Sequence, residues 1–204
     1  KWYLFSDYSY LRFAQSTELV EDRNILLNGS YLFSSATTNF APIKNNHKAR
    51  LGFDYQHSKK ISFSGLLSGY LNRETWNMKV LSTLAPSGIP DTFIYIRSKQ
   101  DDQWQHLGGN LGIQIKTGEN ESFNISTDYL YYNNNSPVNY ENDWKDKNQS
   151  PIKKQLIRSS KETPITIAVG KADYIRNIGQ HIKMETGIKY VYSSFRYNIK
   201  LENL

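Results

Sequence analysis

Eight charged residues recur at alternate positions in extended-looking stretches: Arg50, Asp54, Asp128, Lys171, Asp173, Lys183, Glu185 and Lys189. Asp54, Asp128 and Asp173 each stand directly before a tyrosine. Charges at period two line one face of a strand, where they can guide a solute or pair with a facing domain. The plainer use is mutual pairing on a solvated face. Other chemistry finds less support. His47, His57, His106 and His181 have no metal-ligand spacing, and no His-Glu-x-x-His occurs. Gly108-Gly109-Asn110-Leu111-Gly112 is glycine-rich but lacks the Lys-Ser/Thr that a phosphate cradle needs, so its glycines suit close packing, a bulge or curvature. Glu141, Asp143 and Asp146 do not follow the order of a calcium loop. No Ser-His-Asp set assembles, and with zero cysteines there is no thiolate site or cysteine nucleophile. The expectation is a protein that is not an enzyme and carries no cofactor.

The elements that hold these residues alternate with period two. Ala49, Leu51, Phe53 and Tyr55 interleave with Lys48, Arg50, Gly52 and Asp54. Leu107, Gly109, Leu111, Ile113 and Ile115 interleave with His106, Asn110, Gln114 and Lys116. Phe123, Ile125, Thr127, Tyr129 and Tyr131 do the same, as do Ile182, Met184, Thr186, Ile188, Tyr190 and Tyr192. Successive strand side chains point to opposite faces, so each segment has an apolar and a polar side. No stretch carries a convincing 3.6-residue period. The predicted strands cover about 1–13, 47–56, 61–72, 104–116, 122–132, 164–174 and 182–192.

Connections alternate in length. Short polar turns are expected at about 56–60, 117–121 and 175–181, and long polar loops at about 14–46, 73–103 and 133–162. Residues 24–35 and 91–98 look extended and suit hairpin extensions beyond the spanning strands; a further spanning pair within 14–46 is an alternative. Short turns at one end and long loops at the other are the habit of a transmembrane β-barrel, with the turns periplasmic and the loops extracellular. Cores of about ten residues are long enough to cross a bilayer at a tilt. In hydrocarbon each unpaired backbone group costs several kcal/mol, so such a sheet must close. The predicted class is therefore all-β, a transmembrane antiparallel up-and-down barrel with 1–204 as one partial barrel domain. Tyrosine and tryptophan suit headgroup depth. Trp2, Tyr55 and Tyr174 lie near the short-turn ends, and Tyr131, Tyr132, Tyr190 and Tyr192 near the long-loop ends, as candidate interfacial aromatics. A soluble sandwich or lectin-like domain is the competing fold.

Composition agrees. The 204 residues include 15 Tyr, are 38% hydrophobic and 14% aromatic, and have a mean hydropathy of -0.64. No apolar run reaches the ~18 residues of a transmembrane helix, and the aromatic content argues against disorder. No secretory signal opens the sequence, as expected of a mature or partial chain. With 25 basic and 19 acidic residues the formal charge is +6. Lys145, Lys147, Lys153, Lys154, Arg158 and Lys161 gather in one predicted loop. Lipopolysaccharide phosphates are the nearest anions at an outer-membrane surface, with a simply solvated loop as the alternative; nucleic acid is not expected as a partner.

Several stretches resemble a known family in order along the chain. Arg50-Leu51-Gly52-Phe53-Asp54-Tyr55 is similar to its R-L-G-x-D-Y strand. Ser126-Thr127-Asp128-Tyr129 with Tyr131-Tyr132-Asn133 resembles its L-D-x-D-Y-x-x-Y-x-N strand. Lys171-Ala172-Asp173-Tyr174, a short turn and Lys183-Met184-Glu185-Thr186-Gly187-Ile188-Lys189-Tyr190 resemble its A-D-Y, turn, E-x-G-x-K-Y hairpin, and 198–204 resembles the stretch that follows. The family is the outer-membrane β-barrel domain of TonB-dependent receptor-like proteins. The resemblance implies a Gram-negative outer membrane, a parent barrel of about 22 strands of which this chain supplies seven or eight, a plug domain and TonB as partners, and energised uptake of a large solute. It also admits a structural subunit of an outer-membrane complex, with a surface lipoprotein or other subunits as partners. A small standalone porin-like barrel and, more remotely, a phospholipase-type barrel are the alternatives from outside the family. Neither a plug nor a TonB box is visible, and the last residues lack the usual aromatic end of an outer-membrane strand, so the chain is expected to belong to a longer polypeptide.

Overall fold

The computed structural model describes residues 1–27, 29–86, 88–179 and 181–204. Among them, ten strands form one antiparallel sheet: β1 (Trp2–Ala14), β2 (Thr17–Leu27), β3 (Ser30–Gln56), β4 (Ile61–Pro86), β5 (Thr92–Lys116), β6 (Glu121–Asn135), β7 (Val138–Asp146), β8 (Pro151–Ile178), β9 (Ile182–Phe195) and β10 (Asn198–Asn203). β1 and β2 pair with successive halves of β3, β6 and β7 with successive parts of β5 and β8, and β9 and β10 with β8. The sheet is thus seven columns wide, in the order β1-β3-β4-β5-β6-β8-β10. Proline marks the interruptions within columns, because it cannot donate to a ladder. Pro42 faces the gap between β1 and β2, Pro137 lies in the gap between β6 and β7, and Pro164 faces the gap between β9 and β10.

The turns at 57–60 and 117–120 sit at one end, where the sequence places them. The third predicted turn, 175–181, shrinks to 179–181 because β8 continues to Ile178; Gln180 lies outside the described residues. The predicted long loops 14–46, 73–103 and 133–162 are mostly strand instead: β2 against β3, β4 against β5, and β7 against β8. Asn28 and Ser87, within the first two, lie outside the described residues. Backbone pairing is indifferent to side-chain polarity, so polar segments of matching length continue the ladder once a tight turn joins them. Leu27 and Ser30 are already paired, and Gly29 between them takes φ 81, which costs little without a Cβ. At the β7–β8 turn, the Asp146 carboxylate accepts the N–H groups of Asn148 and Ser150, both at 2.8 Å. β2 prolongs the column of β1, so the described residues of 14–46 add no further pair of columns to the sheet.

Residues directly opposite in an antiparallel pair share a face. One row reads Trp2, Tyr55, Phe63, Ile113, Ile125, Ala172, Ile188; the next reads Leu4, Phe53, Gly65, Leu111, Thr127, Gly170, Tyr190. This apolar face spans about ten residues of each column, or ~25 Å in height at the tilt usual for barrels. It has no cover: Leu111 is 58% exposed and Ile188 74%, and among the described residues Ala85 is the one apolar side chain of the buried core. The accessible surface is 14262 Å², whereas a water-soluble globule of this mass would expose roughly 9,800 Å². The excess follows from a single sheet without a second layer. Such a sheet gains its stability from whatever solvates the apolar face.

Above this band both sides are mixed. In the arms, Phe40, Trp76, Met78, Val80 and Ile96 lie on the face opposite the apolar band with Lys44, Glu74 and Asp102, while Lys79, Arg97, Lys99 and Glu141 continue the face of the band together with Leu81, Tyr95 and Phe93. The purely apolar stripe therefore ends near Asn46, Asn72 and Trp104.

Candidate functional site

The face behind the apolar band carries the charges expected from the sequence. By register, Arg50, Asp54, Asp128, Lys171, Asp173, Lys183, Glu185 and Lys189 all lie on it. Arg50 Nε donates to Asp7 Oδ2 at 2.8 Å. Lys171 Nζ lies 2.6 Å from Asp173 Oδ2, and Lys183 Nζ 3.1 Å from Glu185 Oε2. Asp128 Oδ1 accepts from Asn110 Nδ2 at 2.5 Å. Asp54 lines a depression of about 450 Å³, of mixed polar and apolar walls, with Ser64, Gln114, Asn124, Phe63 and Ile113. Lys189 stands across from Lys171 in register; Asp173 offsets that like-charge pair, which would otherwise be unfavourable.

Of the aromatic candidates, Trp2, Tyr55, Tyr131, Tyr174, Tyr190 and Tyr192 lie on the apolar face. Trp2 stacks on Tyr55 at 4.2 Å between centroids, and Tyr174 packs on Phe123 at 4.8 Å. Tyr132 is different: its neighbour Tyr131 takes the apolar side, and strict alternation turns Tyr132 to the charged side. There it stacks on His106 at 4.3 Å, and His106 in turn lies 5.3 Å from Tyr70.

Next to this aromatic group is a row that local patterning did not single out. Asn46 pairs with Asn72, Asn72 with Trp104, Trp104 with Asn134, and Asn134 with Thr163. Asn134 is 2% exposed and Thr163 7%. The amide oxygens of Asn46 and Asn72 and the hydroxyl oxygen of Thr163 are buried and have no hydrogen-bond partner among the described residues. Asn46, Lys48, Tyr70, Asn72 and Trp104 enclose a depression of about 440 Å³. The row beyond it carries charge: Lys44 lies 3.7 Å from Glu74, and Asp102 accepts from Gln100 at 2.9 Å and from Ser136. The signal available in the sequence was polar residues at even positions continuing past the ends of the strand cores. Their alignment depends on register between distant segments, which local patterns do not disclose.

The basic cluster is divided between the faces. Lys145, Lys154 and Arg158 continue the face of the apolar band, whereas Lys153 and Lys161 lie on the other. Lys147 belongs to the turn between β7 and β8. Lys154 Nζ lies 2.8 Å from Glu141 Oε1, and this hydrogen bond draws the Glu141 carboxyl below the usual carboxylate range and raises Lys154.

No curated protein sequence matches the chain. Two solved structures align along most of it: the outer-membrane expressed OmpT of Vibrio cholerae, at 5% identity over 95% of this chain and 98% of that one with a TM-score of 0.15, and the CymD monoaromatic hydrocarbon channel, at 9% identity over 94% and 86% with a TM-score of 0.14. Superpositions this poor do not establish a shared fold. Residues 114–204, from the end of β5 through β10, match the outer membrane protein beta-barrel family. This agrees with an antiparallel wall that has one apolar face, and it locates the chain, as a barrel protein, in the outer membrane of a Gram-negative bacterium.

Proposed function

We propose that the chain is a wall segment of a TonB-dependent receptor-like transporter that takes up a large solute. The observation that carries this reading is the open sheet. Seven antiparallel columns leave β1 and β9 running in the same direction with no partner on their outer sides among the described residues. Antiparallel closure then requires an odd number of further columns, because the two edges cannot pair with each other in the up-and-down pattern. The larger barrel implied by the resemblance satisfies this, and so does a standalone barrel of eight or ten columns. In the larger barrel the charged face lines the lumen. Asp54 and the ion pairs at Lys171 and Lys183 then meet a plug, and the basic residues beside the apolar band meet lipopolysaccharide phosphates. The short turns are periplasmic and the long arms extracellular.

The test is uptake by cells expressing the full-length protein, with TonB present and deleted. Uptake that requires TonB supports the transporter. Normal surface assembly with no TonB-dependent flux of any solute favours the structural barrel subunit, the second reading retained by the same wall geometry.

A further inference from the structure

We infer that Arg12, Asn45 and Arg73, with His47 beside them, form a binding site for the phosphate of an acylated outer-leaflet lipid. The three stand in one row, Arg12 opposite Asn45 and Asn45 opposite Arg73, on the face of the apolar band and one row beyond Tyr10, His47 and Leu71. The arginines are two columns apart, about 10 Å, so their long side chains can converge on one anion in front of Asn45. What the row offers is donors. The Asn45 amide oxygen is taken by the Tyr10 hydroxyl at 2.9 Å, which leaves its N–H groups to donate. His47 Nδ1 shares a hydrogen bond with the Tyr8 hydroxyl at 2.8 Å; with Tyr8 donating, the Nε2–H is a further donor. On the arms of this face, ion pairs engage Arg97 and Lys154 with Glu141, and Lys99 with Asp101; none engages Arg12 or Arg73 among the described residues. Asp101, the acid nearest to Arg73 by register on this face, also accepts from Thr75 at 2.9 Å. Two unpaired guanidiniums and an amide edge call for a ligand that only accepts, and a phosphate does so through several oxygens at once.

Depth makes the phosphate a lipid's. Tyr8, Tyr10 and Tyr131 lie on the same face at this end of the band, where rings with polar tips mark the headgroup level. Cations just beyond them stand at phosphate height. Toward the short turns, Ala49 faces Gly69, a pair with almost no side chain. Past this pair, Leu4, Leu51, Phe53, Leu67, Leu111 and Tyr129 border an apolar depression of about 590 Å³. Leu51 and Leu67 are each six residues from Asn45 and Arg73, about 20 Å along the strands and about 15 Å in depth at the usual tilt. One leaflet, half of a ~30 Å hydrocarbon core, has the same depth. One lipid can thus set its phosphate on the arginines and lay an acyl chain over Ala49 and Gly69 into the depression. The site is separate from Lys145, Lys154 and Arg158, which stand further out on the arms.

The proposal rests on the outer-membrane reading of the wall, with the apolar band toward lipid and the arms outside, and not on transport. The full-length protein is placed in phosphatidylcholine nanodiscs, and native mass spectrometry measures retention of diphosphorylated lipid A, of the same lipid with its phosphates removed, and of the first in competition with inorganic phosphate. The diphosphorylated form should be retained about tenfold or more over the dephosphorylated one. Arg12→Gln or Arg73→Gln alone should weaken its retention about fivefold, and the two together about twentyfold or more. Lys48→Gln, on the opposite face, should leave it unchanged. Gly109→Leu adds a side chain whose Cβ meets no atom within 4 Å and which fills the depression, so retention of both lipid forms should fall about threefold. Heat-dependent gel migration checks that each variant folds. Equal retention of the two lipid forms overturns the proposal. So does retention that the double variant leaves intact, an equal loss with Lys48→Gln, or displacement by inorganic phosphate, which would mark a site for free anions. Retention unchanged by Gly109→Leu overturns the acyl seat. Failure to enter bilayers would remove the wall reading and this site together, whereas entry without phosphate preference removes this site alone; TonB-dependent uptake stands or falls separately.

Discussion

Gly187 and Gly65 look alike in sequence, both within alternating strands, yet they tolerate a methyl group differently. A Cβ at Gly187 would stand 2.8 Å from the Ala172 carbonyl oxygen, part of a ladder that cannot give way. A Cβ at Gly65 would meet the far end of the Phe53 ring, which can swing outward on an uncovered face. Gly187→Ala is therefore expected to destabilise the β8–β9 pairing by about 1–3 kcal/mol, and Gly65→Ala by less than about 1 kcal/mol; urea unfolding in bilayers measures both. The Glu141–Lys154 pair gives a pH prediction. The hydrogen bond from Lys154 holds the Glu141 carboxyl below the ordinary carboxylate range, so its contribution is present above that range and disappears as pH falls through the lowered folded pKa. The same bond raises Lys154 above the ordinary range of a lysine, so its contribution is present below that range and is lost as pH rises through the raised folded pKa. Protection of the β7 amides, taken as exchange relative to the intrinsic rate at the same pH, should thus fall in acid and in strong base relative to neutrality, and Glu141→Gln should flatten the acid limb. A change in β7 exchange with pH that Glu141→Gln leaves untouched would assign the effect elsewhere.

The strands divide into a spanning part and an arm, and the difference is measurable on β5. Leu111 stands in the middle of the apolar band, and Gln114 on the opposite face. Leu111→Arg should cost about 2–4 kcal/mol in a bilayer if Leu111 is near the midplane, while Gln114→Arg should stay within about 0.5 kcal/mol. Equal penalties would mean that the two faces see the same surroundings. The spanning parts were legible because their alternation is local: Phe53, Leu51 and Ala49 announce one face without help from any partner. The arms were not. Residues 133–162 are so polar that they resemble loop, yet Asn139, Glu141 and Asp143 pair with Arg158, Leu156 and Lys154 in regular register. Their water-facing side needs no hydrophobic signal, and the apolar partners such as Tyr140 and Ile157 become meaningful only once the hairpin is known. The same holds for the asparagine row, whose members lie in five segments and meet only across the sheet.

At the scale of the molecule, one layer with an uncovered apolar band, an opposite face of ion pairs and amides, and two edges that run the same way define a wall rather than a globule. The end of the stripe fits the proposed barrel: above it charge such as Lys79 and Arg97 joins the face of the band, while Trp76 and Phe40 pack at 6.4 Å on the other face. The most direct test uses the absence of cysteine from these 204 residues, with any cysteine elsewhere in the full-length protein replaced by serine. Single cysteines placed in turn along β5 of the full-length protein in bilayers, each carrying a spin label, report contact with oxygen from lipid and with a water-soluble nickel chelate. Positions 107, 109, 111, 113 and 115 should favour oxygen and the positions between them the chelate, with the oxygen preference vanishing by Asp101. Uniform chelate access along the whole strand, or an alternation of opposite phase, would contradict the account.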